Sequence, residues 1–243
     1  MPSSRPETIA KELNDQISGW LSNAHLYADP ASFELKYLWK SADKLSLADA
    51  YAASLTKAMI AHLCGDLNDA YRWIKNARNW PNDQKSEEIE AIVLSNLGYF
   101  SRVAVVLRSE SVSADESFAA VALLSGAFDT LIDRWTSSPY GATESGREDI
   151  LVAERCRMSL KQVGVSEEQM RAMLDVAGGV LRRHKMFFAG QRPLIRSIHD
   201  GVLYQLPVRA NLAETAAMTD EVLHELVELD LDAPGLAFSF IPA

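Results

Sequence analysis

The side chains best able to carry chemistry are five histidines, two cysteines and a group of arginines near the C-terminus. His62 lies two residues before Cys64, which could pair a thiol nucleophile with a base, whereas a small thiol beside a helix turn could simply pack. Cys156 lies between Arg155 and Arg157, which would lower the pKa of an exposed thiol. The histidines match no metal-ligand pattern, and no hydrolase, phosphate-loop or zinc-protease motif occurs. The sequence therefore predicts no catalytic residue, no metal, no cofactor and no enzyme.

Basic and acidic residues are segregated near the C-terminus. Residues 171–209 hold seven bases and two acids, and residues 210–243 hold seven acids and neither lysine nor arginine. The two segments could neutralise each other, or the basic one could bind an acidic partner, phosphate or nucleic acid. The candidate anion-binding residues are Arg182, Arg183, His184, Lys185, Arg192 and Arg196.

The composition limits the class of protein and its partners. With 243 residues, 48% of them hydrophobic, the chain is long enough for a packed core. A net charge of -9 argues against general nucleic-acid or membrane-surface binding. The apolar runs are too short to span a membrane, and the N-terminus lacks the apolar core of a secretory signal. Since the two cysteines fit a reducing compartment, we expect a cytoplasmic protein with no membrane contact.

The middle of the chain repeats itself. In three segments an alanine precedes a glycine by seven residues, and apolar side chains follow the glycine at positions two, five and nine. The pairs are Ala58 and Gly65, Ala91 and Gly98, and Ala119 and Gly126. The pattern predicts helical hairpins in which the small residue lets the helices approach and the glycine forms the turn. One hairpin cannot bury its apolar face alone, so we expect a stack; the alternative is an irregular helical bundle.

The three segments resemble tetratricopeptide repeats (TPRs), and the first matches best. Its matching small, turn, packing and terminating positions are Ala58, Gly65, Asp66, Leu67, Ala70, Ile74, Ala77 and Pro81. The other two depart from the family, since Glu110 and Ser138 replace a small apolar residue and the glycines are 33 and then 28 residues apart. The large aromatic residue usual early in the first helix is also absent. The resemblance covers about residues 49–138 and implies a curved stack whose inner helices present a groove for a peptide or protein segment.

The C-terminal part predicts a small mixed unit. The segments 194–199 and 202–208, joined by Asp200-Gly201, predict a hairpin, followed by a helix over 211–229 and a strand over 235–241. Ser166 and Gln169 form a capping box that starts a helix near 167, and Gly178-Gly179 within it predicts a kink or tight packing. The expected fold is mainly α: a helical, TPR-like repeat body over 1–163 and an α+β (ββαβ) unit over 164–243.

These features favour a non-enzymatic interaction protein that binds a protein or peptide in a TPR-like groove. An adaptor, a chaperone resembling the repeat-type bacterial secretion chaperones, or a regulatory or immunity-type binding protein would fit. The acidic groove residues would favour a basic partner. The groove candidates are Ser54, Lys57, Glu87, Glu90 and Asp115.

A second hypothesis is an enzyme, or a small-ligand or anion-binding protein, with its site between the helical body and the C-terminal sheet. Its candidate residues are Arg182, Arg183, His184, Arg196, His199 and Tyr204. A third is nucleic-acid binding through the basic segment, which the overall acidity disfavours.

Overall fold

The computed structural model describes residues 6–23, 26–81, 83, 85–188, 193–199, 201–233 and 235–243. These residues form eleven α-helices and one three-stranded sheet, so the predicted mainly helical chain with a small C-terminal sheet is confirmed. The helices are α1 (Pro6–Asn23), α2 (Phe33–Ser46), α3 (Ala50–Leu63), α4 (Leu67–Arg78), α5 (Ser86–Asn96), α6 (Phe100–Val106), α7 (Glu116–Leu124), α8 (Phe128–Trp135), α9 (Glu144–Gln162), α10 (Glu167–Arg183) and α11 (Leu212–Glu228). The strands are β1 (Leu194–Ile198), β2 (Gly201–Val208) and β3 (Leu236–Pro242).

Glycines terminate the first helix of successive pairs. Gly65, Gly98 and Gly126 have φ of 70°, 69° and 65°, and Gly164 repeats the feature between α9 and α10 with φ of 75°. This left-handed conformation costs glycine little because glycine has no Cβ. The three predicted helix–glycine–helix units are confirmed, and Gly164 forms the same turn between α9 and α10.

Consecutive helix pairs contact each other in a regular order. The second helix of each pair packs on the first helix of the next, as α2 does on α3, α4 on α5, α6 on α7 and α8 on α9. The first helices also contact in sequence, from α1 to α3, α5, α7 and α9. Neighbouring pairs therefore bury the apolar faces that a single pair would leave exposed.

Helix α10 packs alongside the glycine turns at Gly98 and Gly126. Glu167 and Asp175 of α10 accept hydrogen bonds from the backbone amides of Asp129 (2.8 Å) and Ser101 (3.1 Å). Those amides belong to the first turns of α8 and α6, whose own N-cap residues make no side-chain hydrogen bond. α10 thus caps two helices that lack caps of their own. Two residues of α10 pack on these turns: Met170 lies over Gly126, and Gly178 lies against Gly98. At the third turn, Tyr27 lies over Gly65, and the Tyr27 amide donates to the Lys185 carbonyl just after α10.

The predicted ββαβ unit is confirmed. β1 pairs antiparallel with β2, and β2 pairs parallel with β3, so β2 is central. Pro207 pairs with Ile241 of β3 and lies beyond Gln205, the last β2 residue paired with β1 in the described ranges. The Val202 amide donates towards β3, so by alternation the missing N–H of Pro207 is on the β1 side and the β2–β3 ladder does not lose a bond there. The largest apolar core contains residues from α5 to β3, on both sides of the predicted domain boundary between residues 163 and 164. The division into two domains stays a prediction. No helix in the described ranges is both long enough and apolar enough to span a membrane.

Candidate functional site

One face of α7 forms a wall of a cleft. The lining residues on α7 are Glu116, Ser117, Ala120, Val121 and Leu124. Their spacing places them on one side of the helix, while Phe118, Ala119, Ala122 and Leu123 are buried behind them. Ala119, the small residue of the repeat pattern, is on the side of α7 that packs against the neighbouring helices. The other side of α7 is therefore free to line the cleft.

The other walls come from four parts of the chain. They are Ser95 and Asn96 at the end of α5, Tyr140 before α9, Asp149 in α9, and Phe188 with Pro193 between α10 and β1. The amide of Phe188 donates to the Asn96 carbonyl (3.2 Å), which holds the segment after α10 against α5. The cleft has a volume of about 350 Å³, which suits a side chain or a short stretch of extended chain.

Asp149 places a carboxylate at the base of this cleft. The residue is only 2% exposed, and its Oδ2 accepts a hydrogen bond from the Tyr140 hydroxyl (2.8 Å). The Thr143 side chain caps α9 through the Gly146 amide, and Gly146 packs so closely on the Tyr140 carbonyl that a Cβ would clash. The turn that carries Tyr140 is therefore held against the helix that carries Asp149. Glu116, at the start of α7, is exposed and adds a second carboxylate.

The groove residues predicted from sequence have structural partners. Ser54 donates to the Ala50 carbonyl (2.8 Å), and the buried Lys57 pairs with Asp43 (2.7 Å). The buried Glu90 pairs with Arg78, and Glu87 accepts a hydrogen bond from Ser109. Asp115 caps α7 through the Phe118 amide (3.1 Å), next to cleft residue Glu116. None of the five lines the cleft as described, and their role in partner binding stays a prediction.

Sequence reasoning missed the residues that do line the cleft. The repeat pattern could have indicated part of the cleft. It places Ala119 on the packed side of α7, so Ala120 and Val121 must lie on other sides of the helix, where they line the cleft. The matching residues of α3 include Ile60 and Leu63, which are buried in a core shared with α1 and α2. No comparable signal indicated Asp149 or Phe188, which reach the cleft only through packing.

Three of the predicted anion-binding residues have partners within the molecule, and their role in anion binding stays a prediction. Arg183 pairs with Glu221 and Glu225 of α11, and His184 contacts Glu221 at 2.9 Å. These contacts support neutralisation between the basic and acidic segments. Arg182 donates to the carbonyls of Leu97 and Gly98 (2.9 and 2.8 Å) and lies 3.9 Å from the Tyr99 ring centre. Lys185 and Arg196 are exposed, and Arg192 lies outside the described residues.

The residues named for an enzyme site lie in separate surroundings. Tyr204 is fully buried and donates to the Leu123 carbonyl (2.6 Å), so its hydroxyl joins the sheet to the end of α7. His199 is exposed at the end of β1, whereas Arg183 and His184 face α11. Of the six candidates, none lines the cleft as far as the structure describes it.

Burial governs the titration of the cysteines and of His62. Burial, with Asp66 and Asp69 nearby, raises the pKa of Cys64 to about 11, and burial raises the pKa of Cys156 to about 12. Burial lowers the pKa of His62 to about 3, and its ring lies edge-on to Phe187 with centres 5.3 Å apart. Both thiols are therefore protonated at neutral pH. The buried surroundings of His62 and Cys64 favour packing and not a nucleophile–base pair.

The described ranges contain no group of three or more histidine, cysteine, aspartate or glutamate residues arranged to hold a metal ion. The cleft is therefore the candidate site, with apolar walls, two carboxylates and several hydroxyl or amide groups. Comparisons with protein-family models, with curated proteins and with solved structures found no match.

Proposed function

We propose that the protein is a non-enzymatic, cytoplasmic interaction module that binds a segment of a protein partner in the cleft along α7. The observation that carries the proposal is the cleft itself, in which one face of a repeat helix is left open beside α5 and α9. An open helix face of this kind is the surface that helical-repeat proteins use for extended ligands.

The order of helix contacts supports a TPR-like stack as the scaffold. The second helix of each pair touches the first helix of the next, and the first helices touch in sequence. In such a stack the first helices line the inner surface, which is where α5, α7 and α9 meet the cleft. α1 and α2 cover the corresponding apolar face of α3, and the sheet packs on α9, so the open part of this surface is short.

The charge of the cleft favours a basic segment as the ligand. Both of its charged lining residues, within the described chain, are acids: Glu116 at an exposed edge and Asp149 at the base. Ala120, Val121 and Leu124 provide an apolar wall for the aliphatic stem of a lysine or arginine.

The test is quantitative affinity purification from the native cell with a cleft variant and a matched control. Ala120→Arg introduces a long cation into the cleft, whereas Val105→Arg introduces the same side chain on the exposed side of α6. We expect recovery of the stoichiometric partner to fall at least about tenfold with Ala120→Arg, a loss of about 1.4 kcal/mol, and to be unchanged with Val105→Arg.

The circular dichroism spectra of both variants are first compared with that of the wild type. Identical spectra would mean that a loss of binding comes from the change in the cleft and not from unfolding. Equal recovery with wild type and Ala120→Arg would contradict the proposed site. A bound metabolite in the purified protein, without any stoichiometric protein partner, would contradict the function itself.

A further inference from the structure

Helix α11 has a second apolar face in addition to the one it buries. Thr215, Met218, Val222 and Leu226 pack inward and are at most 3% exposed. Next to this buried face an exposed apolar stripe extends along the helix, with Leu212 75%, Leu223 46% and Val227 63% exposed and Ala216 between them. Positions 212, 216, 223 and 227 recur at the helical period, so the four side chains share one side. We call Leu212, Ala216, Leu223 and Val227 the α11 stripe.

The charge on α11 itself is acidic. α11 has five acids and neither lysine nor arginine. Glu221 and Glu225 are both paired with Arg183 of α10, so the charge on the side facing α10 is partly neutralised within the molecule. Asp220, by contrast, is exposed and lies one turn from Ala216, beside the stripe. Glu228 is also exposed near the end of the helix, where it contacts His224 at 3.2 Å.

We propose that the α11 stripe is a second docking surface, separate from the cleft, for a basic amphipathic helix of a different protein. Apolar side chains on such a helix, spaced three and four apart, would pack between Leu212, Leu223 and Val227. Flanking lysines or arginines would face Asp220 and Glu228. No residue of the α11 stripe lines the cleft, so the two surfaces can be occupied independently.

The acidic charge argues against the other occupants. A second copy docked by two-fold symmetry would bring the α11 acids of both copies together, which opposes association. An anionic membrane surface would repel the same side chains.

Strand addition next to α11 is also disfavoured. The Phe240 amide of edge strand β3 already donates to the Thr219 hydroxyl of α11 at 2.9 Å. A partner strand on this edge would have to break that bond, so a helix fits this surface better than a strand.

The test uses a defined probe, a labelled synthetic helix of about 18 residues, long enough for five turns, with a leucine face flanked by lysines. Its binding to the full chain is followed by fluorescence anisotropy. The stripe variant is Leu223→Ser with Val227→Ser. The control is Leu151→Ser with Met158→Ser, which removes two exposed apolar side chains from α9. A third arm uses Ala120→Arg in the cleft.

We expect the stripe variant to weaken binding of the Leu/Lys helix about tenfold or more, and the control and the cleft variant to leave it unchanged. Affinity should fall as salt is raised from about 50 to 300 mM, and a Leu/Glu helix should not bind. Undetectable binding, equal loss in the control, or equal binding of the Leu/Glu helix would overturn the proposal. So would a concentration-dependent dimer that the stripe variant abolishes, since that would make a second copy the occupant. Because Ala120→Arg affects only the cleft, failure of one proposal is distinguishable from failure of the other.

Discussion

Adding one methyl group at Gly178 should destabilise the protein, whereas the same change at Gly179 should stabilise it. A Cβ built on Gly178 lies 1.8 Å from the Gly98 carbonyl oxygen and 2.8 Å from the Gly98 Cα. Those atoms are backbone and belong to a turn with φ of 69°, so they have little freedom to move aside. A Cβ on Gly179 meets only the ends of two arginine side chains, at 3.7 Å. The neighbouring glycines therefore form a matched pair in one helix.

The expected magnitudes follow from two opposing effects. Replacing glycine by alanine inside a helix favours folding by about 1 kcal/mol. Overpacking costs about 1–3 kcal/mol, and Gly178→Ala should reach the upper end because α10 must move away from the Gly98 turn. That movement would also weaken the hydrogen bonds from Arg182 to the turn carbonyls. We expect Gly178→Ala to lose about 2 kcal/mol of unfolding free energy and Gly179→Ala to gain about 1 kcal/mol.

Thermal unfolding followed by circular dichroism is the assay. For a chain of this size, 1 kcal/mol corresponds to about 2–4 °C in Tm, so the two variants should differ by about 6–12 °C. Urea unfolding provides an independent comparison of the two midpoints. Equal Tm values, or a Gly178→Ala variant more stable than wild type, would refute the close packing of α10 on the Gly98 turn.

Three further changes test other parts of the structure by unfolding measurements. Burial lowers the pKa of His62 from 6.5 to about 3. Between these pH values the unfolded chain binds a proton at His62 and the folded chain does not, so the free energy of unfolding decreases as the pH falls. His62→Leu should therefore reduce the slope of stability with pH by up to about 1.4 kcal/mol per unit. Asp175→Ala should cost about 1 kcal/mol by uncapping α6. Arg183→Ala should cost less than about 1 kcal/mol, because its ion pairs with α11 are partly exposed.

Each of these changes has an outcome that would contradict its reasoning. An unchanged pH slope in His62→Leu would mean that the imidazole is not held neutral by burial. For the cap, Asp133→Ala on the exposed side of α8 is the control, and equal losses in both variants would argue against capping by Asp175. A loss of several kcal/mol in Arg183→Ala would mean that the ion pairs with α11 hold the fold together and do not simply neutralise charge.

Local patterns were sufficient to predict most of the elements. Gly65, Gly98 and Gly126 indicated the hairpin turns because a left-handed residue after a helix is a backbone requirement that glycine meets at little cost. Ser166 and Gln169 indicated the start of α10 because a capping box is formed within four consecutive residues. Asp200-Gly201 likewise indicated the β1–β2 hairpin, although Asp200 itself lies outside the described residues.

The cleft was beyond the reach of the same patterns. Ala120 and Val121 look like ordinary interior positions of a helix, and Asp149 looks like one more acid on a solvated face. What makes them a site is that α5, α9 and the segment after α10 meet around α7. Lys57 and Glu90 were predicted to line a groove because of their polarity, and only the folded structure shows that they form ion pairs with Asp43 and Arg78.

The sequence by itself determined the helices, the glycine turns, the C-terminal ββαβ unit and the opposite charges of its two segments. These properties depend on residues close together in the chain, through periodicity, capping and turn geometry. Only the tertiary structure decided that α10 follows the hairpin turns, that Asp175 caps a helix 74 residues away, and which helix faces stay open. Such contacts depend on which surfaces remain unburied after all the elements have packed, and no short window of sequence contains that information.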